Sequence, residues 1–217
     1  MGRVTIYHSK SSPVSRAVVF LIKYMKIDVE LKALDLGSKE HHQDWYVKIN
    51  PEKTVPTLVD GDFVLTESRA ILAYLINSSG SDSTLYPKDA KKRGLIDSRL
   101  YFDAGILNVR SAHLARDVMY GEASEFDPRR KSAALSALNQ LNDYLKGNKW
   151  VAGNELSIAD FSIVACISVY FYFAPMENYP EIKRWYDQFK SFNGFEEFLE
   201  GAKIVGEKIK NNLSKGF

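Results

Sequence analysis

Two dissimilar halves predict an α/β plus all-α chain, a small mixed-sheet domain followed by an all-helical one. Three observations carry this reading. The first 33 residues run strand, helix, strand; an Asp-Gly pair separates two apolar β-type runs at 57–65; and no strand-period pattern occurs beyond residue 84.

Val4-Thr5-Ile6-Tyr7 and Val29-Glu30-Leu31-Lys32-Ala33 alternate apolar and polar, as half-buried strands do. Pro13 to Met25 is an apolar-rich helix with proline suited to its first turn. The spacing fits a parallel crossover. A polar stretch from Gly37 to Lys53 carries a weak helix signal at Glu40 to Lys48. Thr57-Leu58-Val59 and Phe63-Val64-Leu65 then flank Asp60-Gly61-Asp62, a hairpin signal. Glu67 to Ile76 is amphipathic, with Ala70, Ile71, Tyr74 and Leu75 on one face. The first half therefore reads βαβαββα.

Ser78 to Thr84 is the one linker-like stretch, so the domains are expected at residues 1–80 and 88–217. Helices are expected over Pro87–Tyr120, Pro128–Gly147, Ser157–Ala174, Pro180–Ser191 and Phe195–Leu213. Asp127-Pro128 is an N-cap followed by proline at the first helical position. Ser157-Ile158-Ala159-Asp160 has the capping-box pattern.

The bulk numbers narrow the function. An apolar share of 45% and a charged share of 26% are ordinary for a folded domain. A net charge of +2 gives no support for a nucleic-acid or membrane partner. The longest apolar run, Ile163 to Met176, has about 14 residues, short of a membrane span. A single cysteine, Cys166, excludes an internal disulfide framework and suits a reducing compartment, so a cytoplasmic protein is expected. The four histidines show no metal-ligand spacing, and no phosphate loop, dinucleotide fingerprint or nucleophile elbow is present.

Three segments carry chemistry. Ser11-Ser12-Pro13 lies where the first strand meets the first helix, so a hydroxyl there either caps the helix or donates to a bound thiolate. Val55-Pro56 precedes a strand; a cis bond would leave the Val55 backbone free to pair with an extended peptide, and a trans bond would simply open an edge strand. Glu67-Ser68-Arg69 opens a helix and pairs an acid with donors, a match for an amino-acid head group or merely a capped helix. His41 and Lys53 add hydrogen-bonding and positive character between them.

Taken together, these residues resemble the cytosolic glutathione transferases, of the insect delta and epsilon classes. The carrying residues are Ser12-Pro13-Val14-Ser15-Arg16, His41, Asn50 to Leu58, Glu67 to Ile71, and Val151-Ala152-Gly153 through Asp160. The resemblance spans essentially the whole chain. It implies a thioredoxin-like N-terminal domain that binds glutathione as co-substrate, and a helical domain that holds a hydrophobic electrophile. It assigns thiol activation to Ser12 and glutathione contacts to His41, Lys53, Val55, Pro56, Glu67, Ser68 and Arg69. It also implies a homodimer, with no metal and no further cofactor. Lys53 stands where the family often has histidine, and Val14 where the epsilon type has a second proline.

The acceptor site is expected on one face of the long helix, at Asn108, Ser111, Ala112, Ala115 and Met119, a face that domain packing would equally explain. Tyr170 to Phe173 and Cys166 read as core. A carrier of hydrophobic ligands with little turnover is the alternative to a conjugating, detoxifying enzyme.

Overall fold

The computed structural model describes residues 4–79 and 84–217. The centre of the expected linker, 80–83, and the first three residues lie outside the described residues. Strand β1 (Thr5–His8) leads into helix α1 (Pro13–Met25), and the chain returns through β2 (Glu30–Ala33), parallel to β1. A 3₁₀ turn (Glu40–His42) and the one-turn helix α2 (Asp44–Val47) follow. The expected single helix over this stretch is thus split, because Gln43 between the two pieces is extended. Strands β3 (Thr57–Asp60) and β4 (Phe63–Leu65) form the hairpin, and α3 (Ser68–Ser78) closes the half.

The sheet order is β2-β1-β3-β4, with β3 antiparallel to both neighbours. Asp60 pairs with Phe63, so the turn residues are Gly61-Asp62 rather than Asp60-Gly61. Gly61 takes φ +64°, which a residue with a Cβ rarely adopts.

Among the described residues the second half is helical apart from one isolated bridge between Trp150 and Gly153. The helices are α4 (Ala90–Phe102), α5 (Asn108–Met119), α6 (Pro128–Leu145), α7 (Ile158–Tyr170), α8 (Pro180–Asp187) and α9 (Phe195–Asn212). The expected continuous helix from Pro87 is corrected in two ways. It starts at Ala90, where Asp89 caps it by accepting from Lys92 N–H at 2.9 Å. A π-helical segment (Asp103–Leu107) then separates α4 from α5. Helix α7 stops at Tyr170, ahead of the expected Ala174, and the chain turns before Pro175, whose ring disfavours a helical residue in front of it.

Every residue of α7 is buried, as befits a helix apolar on all sides. Its N-terminus is held by the expected capping box, and the Asp160 carboxylate also accepts from Val151 N–H and the Trp185 indole, both at 2.9 Å. Helices α1 and α7 pack across the two halves. Phe20 of α1 meets Phe161, Phe189, Phe195 and Phe198, with ring centroids 4.8–6.0 Å apart. The buried Arg16 donates from Nη2 to Ala165 O at 2.9 Å and to Ser168 Oγ at 3.3 Å; desolvation lowers its pKa to about 10. Helix α9 reaches this junction through Gly201, where a Cβ would stand 2.0 Å from Lys10 O.

Candidate active site

The start of α1 is built by Ser12. It is the N-cap: its Oγ accepts from Ser15 N–H at 3.3 Å, and its carbonyl accepts from Arg16 N–H at 3.0 Å. Pro13 has no N–H. Among the described residues, this leaves the Val14 N–H and the Ser12 hydroxyl proton uncommitted at the positive end of a 13-residue helix. Capping and donation are therefore compatible: the hydroxyl accepts on one side with its proton free on the other. Ser11 Oγ lies 3.2 Å from Ser9 Oγ.

The loop before β3 is held by Tyr46, which the sequence reading does not single out, and by Asn50, the first residue of the Asn50 to Leu58 segment that carries the resemblance. The buried Tyr46 hydroxyl donates to Thr54 O at 2.5 Å and lies 2.8 Å from Thr57 Oγ1. Asn50 Nδ2 lies 3.0 Å from Thr54 O and 2.9 Å from Thr57 Oγ1. Between these clamps the Val55–Pro56 bond is cis. Among the described residues, neither the Val55 N–H nor its C=O has a backbone partner. Lys53 is exposed with φ +57°. The His41 ring meets His42 edge-on at 4.3 Å, its Nδ1 is buried without a partner, and desolvation followed by the nearby His42 lowers its pKa.

Glu67, exposed, takes φ +65° and ψ 107° immediately before α3. A non-glycine residue held there stores on the order of 1–3 kcal/mol, a pattern that clusters at ligand clamps. Ser68 beneath it is buried. Arg69 faces the other half of the chain: Nε and Nη2 donate to Asp103 Oδ2 at 3.0 and 2.6 Å, and Nη1 donates to Ser68 Oγ at 3.3 Å. Asp103, fully buried at the start of the π segment, also accepts from Ser162 of α7 at 2.5 Å. Arg69 thus braces Ser68 against the helical half. No local pattern announced Asp103 as its partner.

A cavity of about 450 Å³ opens beside this helix start. Ser11, Pro13 and Val14 form one edge, and all five expected residues, Asn108, Ser111, Ala112, Ala115 and Met119, line α5's wall. Tyr170, Phe173 and Cys166 also line it, which corrects their reading as core alone. The Tyr170 hydroxyl donates to Ser111 Oγ at 2.8 Å, and Ser111 in turn donates to Leu107 O at 2.7 Å. Burial pushes the Cys166 thiol up to about 12. Among the described residues, no group of three His, Cys, Asp or Glu side chains is placed to hold a metal, and no helix is long and apolar enough to cross a membrane.

Residues 2–77 match the N-terminal domain of the glutathione S-transferases, and residues 105–192 match their C-terminal domain. The chain belongs to the glutathione S-transferase family. Glutathione S-transferase D6 of Drosophila melanogaster is 36% identical over 214 residues, 96% of this chain and 97% of that protein. A delta-class glutathione transferase from Nilaparvata lugens superposes with a TM-score of 0.90 at 38% identity, over 96% of this chain and 99% of that one. A glutathione transferase homologue from Drosophila mojavensis, solved with bound glutathione, gives 0.92 at 33% identity, over 98% and 99%. An epsilon-class housefly enzyme shares the same fold. As a glutathione S-transferase, the chain pairs a mixed-sheet N-terminal half with an all-helical C-terminal half.

Proposed function

We propose that this glutathione S-transferase holds glutathione at the N-terminal half as a thiolate and delivers it to hydrophobic electrophiles in the cavity against α5. The observation that carries this reading is the position of Ser12. It is a helix cap with a free hydroxyl proton, flanked by residues that line an apolar cavity of about 450 Å³. The hydroxyl and the helix end stabilise sulfur anion, lowering the thiol pKa from its free value of about 8.5. The thiolate then attacks: a carbon–sulfur bond forms, and with an aryl halide the halide leaves with its electron pair. Holding both reactants in one pocket makes the attack effectively unimolecular.

The remaining assignments are those the family resemblance implies, and the chemistry of the residues agrees with them. The Val55 N–H and C=O pair with the cysteinyl backbone of the tripeptide, beside Pro56, as an added strand would. Glu67 takes the γ-glutamyl ammonium and Ser68 its carboxylate, with Arg69 bracing Ser68. His41 and Lys53 meet the glycyl carboxylate, Lys53 as a point charge. The domains divide at 1–80 and 88–217. Phe63, Val64, Leu95 and Tyr101, exposed by 40–78%, supply an apolar surface suited to a homodimer in the cytoplasm.

The test is conjugation of 1-chloro-2,4-dinitrobenzene with glutathione, followed at about pH 6.5 where the uncatalysed reaction is slow. Turnover well above background is expected, together with a dimer by light scattering. Glutathione binding with turnover no faster than background would replace this reading with that of a carrier.

A further inference from the structure

Helix α5 presents two parallel rows to the cavity, because residues four apart stack on one face. Ser111, Ala115 and Met119 form the half-buried row. Asn108, Ala112, Arg116 and Tyr120 form the more exposed row along its mouth. The two rows differ in what they offer a ligand. In the first, the Ser111 hydroxyl proton goes to Leu107 O and the Tyr170 proton goes to Ser111, so neither is available to a guest. In the second, the Arg116 guanidinium has no hydrogen bond or ion pair among the described residues.

Its neighbours do not neutralise it. Asp117 is held by Arg130 at 2.5 Å, and no Asp or Glu lines the cavity among the described residues. The opposite wall is Val169, Tyr170, Phe173, Val205 and Ile209, all apolar apart from one committed hydroxyl. An apolar chamber with the proposed thiol-activating helix end at one edge and an unpaired guanidinium at its mouth, with the Lys208 ammonium 5.8 Å from the Tyr120 ring beside it, is therefore electrostatically one-sided. A guest completes it by burying an apolar body and leaving an anionic end at the rim, where the guanidinium can donate in pairs.

We propose that Arg116 is a specificity determinant that selects amphipathic acceptors bearing a carboxylate on a hydrophobic body. This rests on the conjugation reading above and names the substrate class of that same site. Arg116 positions the acceptor and takes no part in bond making.

The experiment compares ethacrynic acid, an aryl vinyl ketone bearing an oxyacetate, with its methyl ester. In both, glutathione sulfur adds to the terminal alkene carbon and the thiol's proton ends on the neighbouring carbon, so reactivity is matched and only charge differs. In wild type against Arg116→Gln, the acid-to-ester ratio of kcat/KM is expected to fall about two- to fivefold, the scale of one exposed charge pair. The same ratio should shrink in wild type as salt is raised. Calorimetric binding of the two preformed glutathione adducts gives a readout independent of turnover, with the acid adduct expected to lose the larger share of affinity in the variant. An acid-to-ester ratio unchanged by both the substitution and salt would overturn the assignment to Arg116. Adduct binding that follows the expected pattern without turnover of either acceptor would instead overturn the conjugation reading and leave Arg116 as a binding determinant.

Discussion

Ser12→Ala removes one hydroxyl and tests two roles at once. The structural role is small: a single 3.3 Å bond to Ser15 N–H is lost, worth roughly 0.5–1 kcal/mol as a cap, or about 1–4 °C in Tm for a chain of this size. The chemical role is larger. A hydrogen bond to a charged acceptor contributes about 1.5–3 kcal/mol, equivalent to about 1–2 pKa units on the bound thiol. The donor favours the thiolate, so its loss raises the thiol pKa. Turnover at about pH 6.5 should then fall roughly 10- to 100-fold, and the deficit should close as pH rises toward about 9. The assay is kcat/KM for the electrophile at saturating glutathione against pH, which titrates the bound thiol, with the acid limb moving up by that same shift. Ser11→Ala keeps the Ser12–Ser15 bond and should move the limb less. An acid limb in Ser12→Ala that stays at its wild-type pH would refute the reasoning, whatever happens to Tm.

Three further outcomes are expected. Asp103→Asn leaves the Arg69 guanidinium without its carboxylate in a mostly buried setting, and should cost about 3 kcal/mol, or roughly 6–12 °C by calorimetry, while raising KM for glutathione through Ser68. Desolvation raises the Asp160 carboxyl to about 6, so the folded state holds a proton that the unfolded chain has released; that contribution is fully present below about pH 4 and is lost as pH rises through about 6. Asp160→Asn should therefore cost more stability near pH 4.5 than at pH 7 in urea titrations, and the opposite trend would contradict the sign. With burial pushing its thiol up to about 12, Cys166 should react with a disulfide reagent at least about tenfold more slowly in the native protein than in denaturant.

What was legible in the sequence was local. Ser12, Asp127 and the Ser157–Asp160 box act within one helical turn, so their spacing alone announces them. The face of α5 was legible as far as its period, which marks the small residues but cannot say whether a neighbour or a void lies opposite. The same limit applied to Tyr170, Phe173 and Cys166: an apolar run reads as core whether it packs against atoms or lines a cavity. Asp103 was illegible for a different reason. Its partners, Arg69 and Ser162, lie 34 and 59 residues away, and only the folded chain brings them together. The clamp of Tyr46 and Asn50 on Thr54 and Thr57 escaped notice because it stabilises irregular backbone, which has no period to read.

Asp103 also shows why the two halves must meet in one geometry. Its carboxylate gathers Arg69 from the mixed-sheet half and Ser162 from α7, and it stands at the first position of the π segment that leads into α5. The α5 wall of the proposed acceptor cavity therefore starts five residues after the anchor that braces Ser68. A segment with an altered hydrogen-bond period at this point re-aims the helix that follows, and such segments gather at functional sites. Attack by a bound thiolate needs the reacting atoms about 3–3.5 Å apart, and a displacement of about 1 Å can cost on the order of a hundredfold in rate. A joint that ties the proposed glutathione half to the direction of α5 through one buried carboxylate holds that distance. The geometry of the acceptor wall and the hold on the tripeptide are, on this argument, two readouts of the same residue.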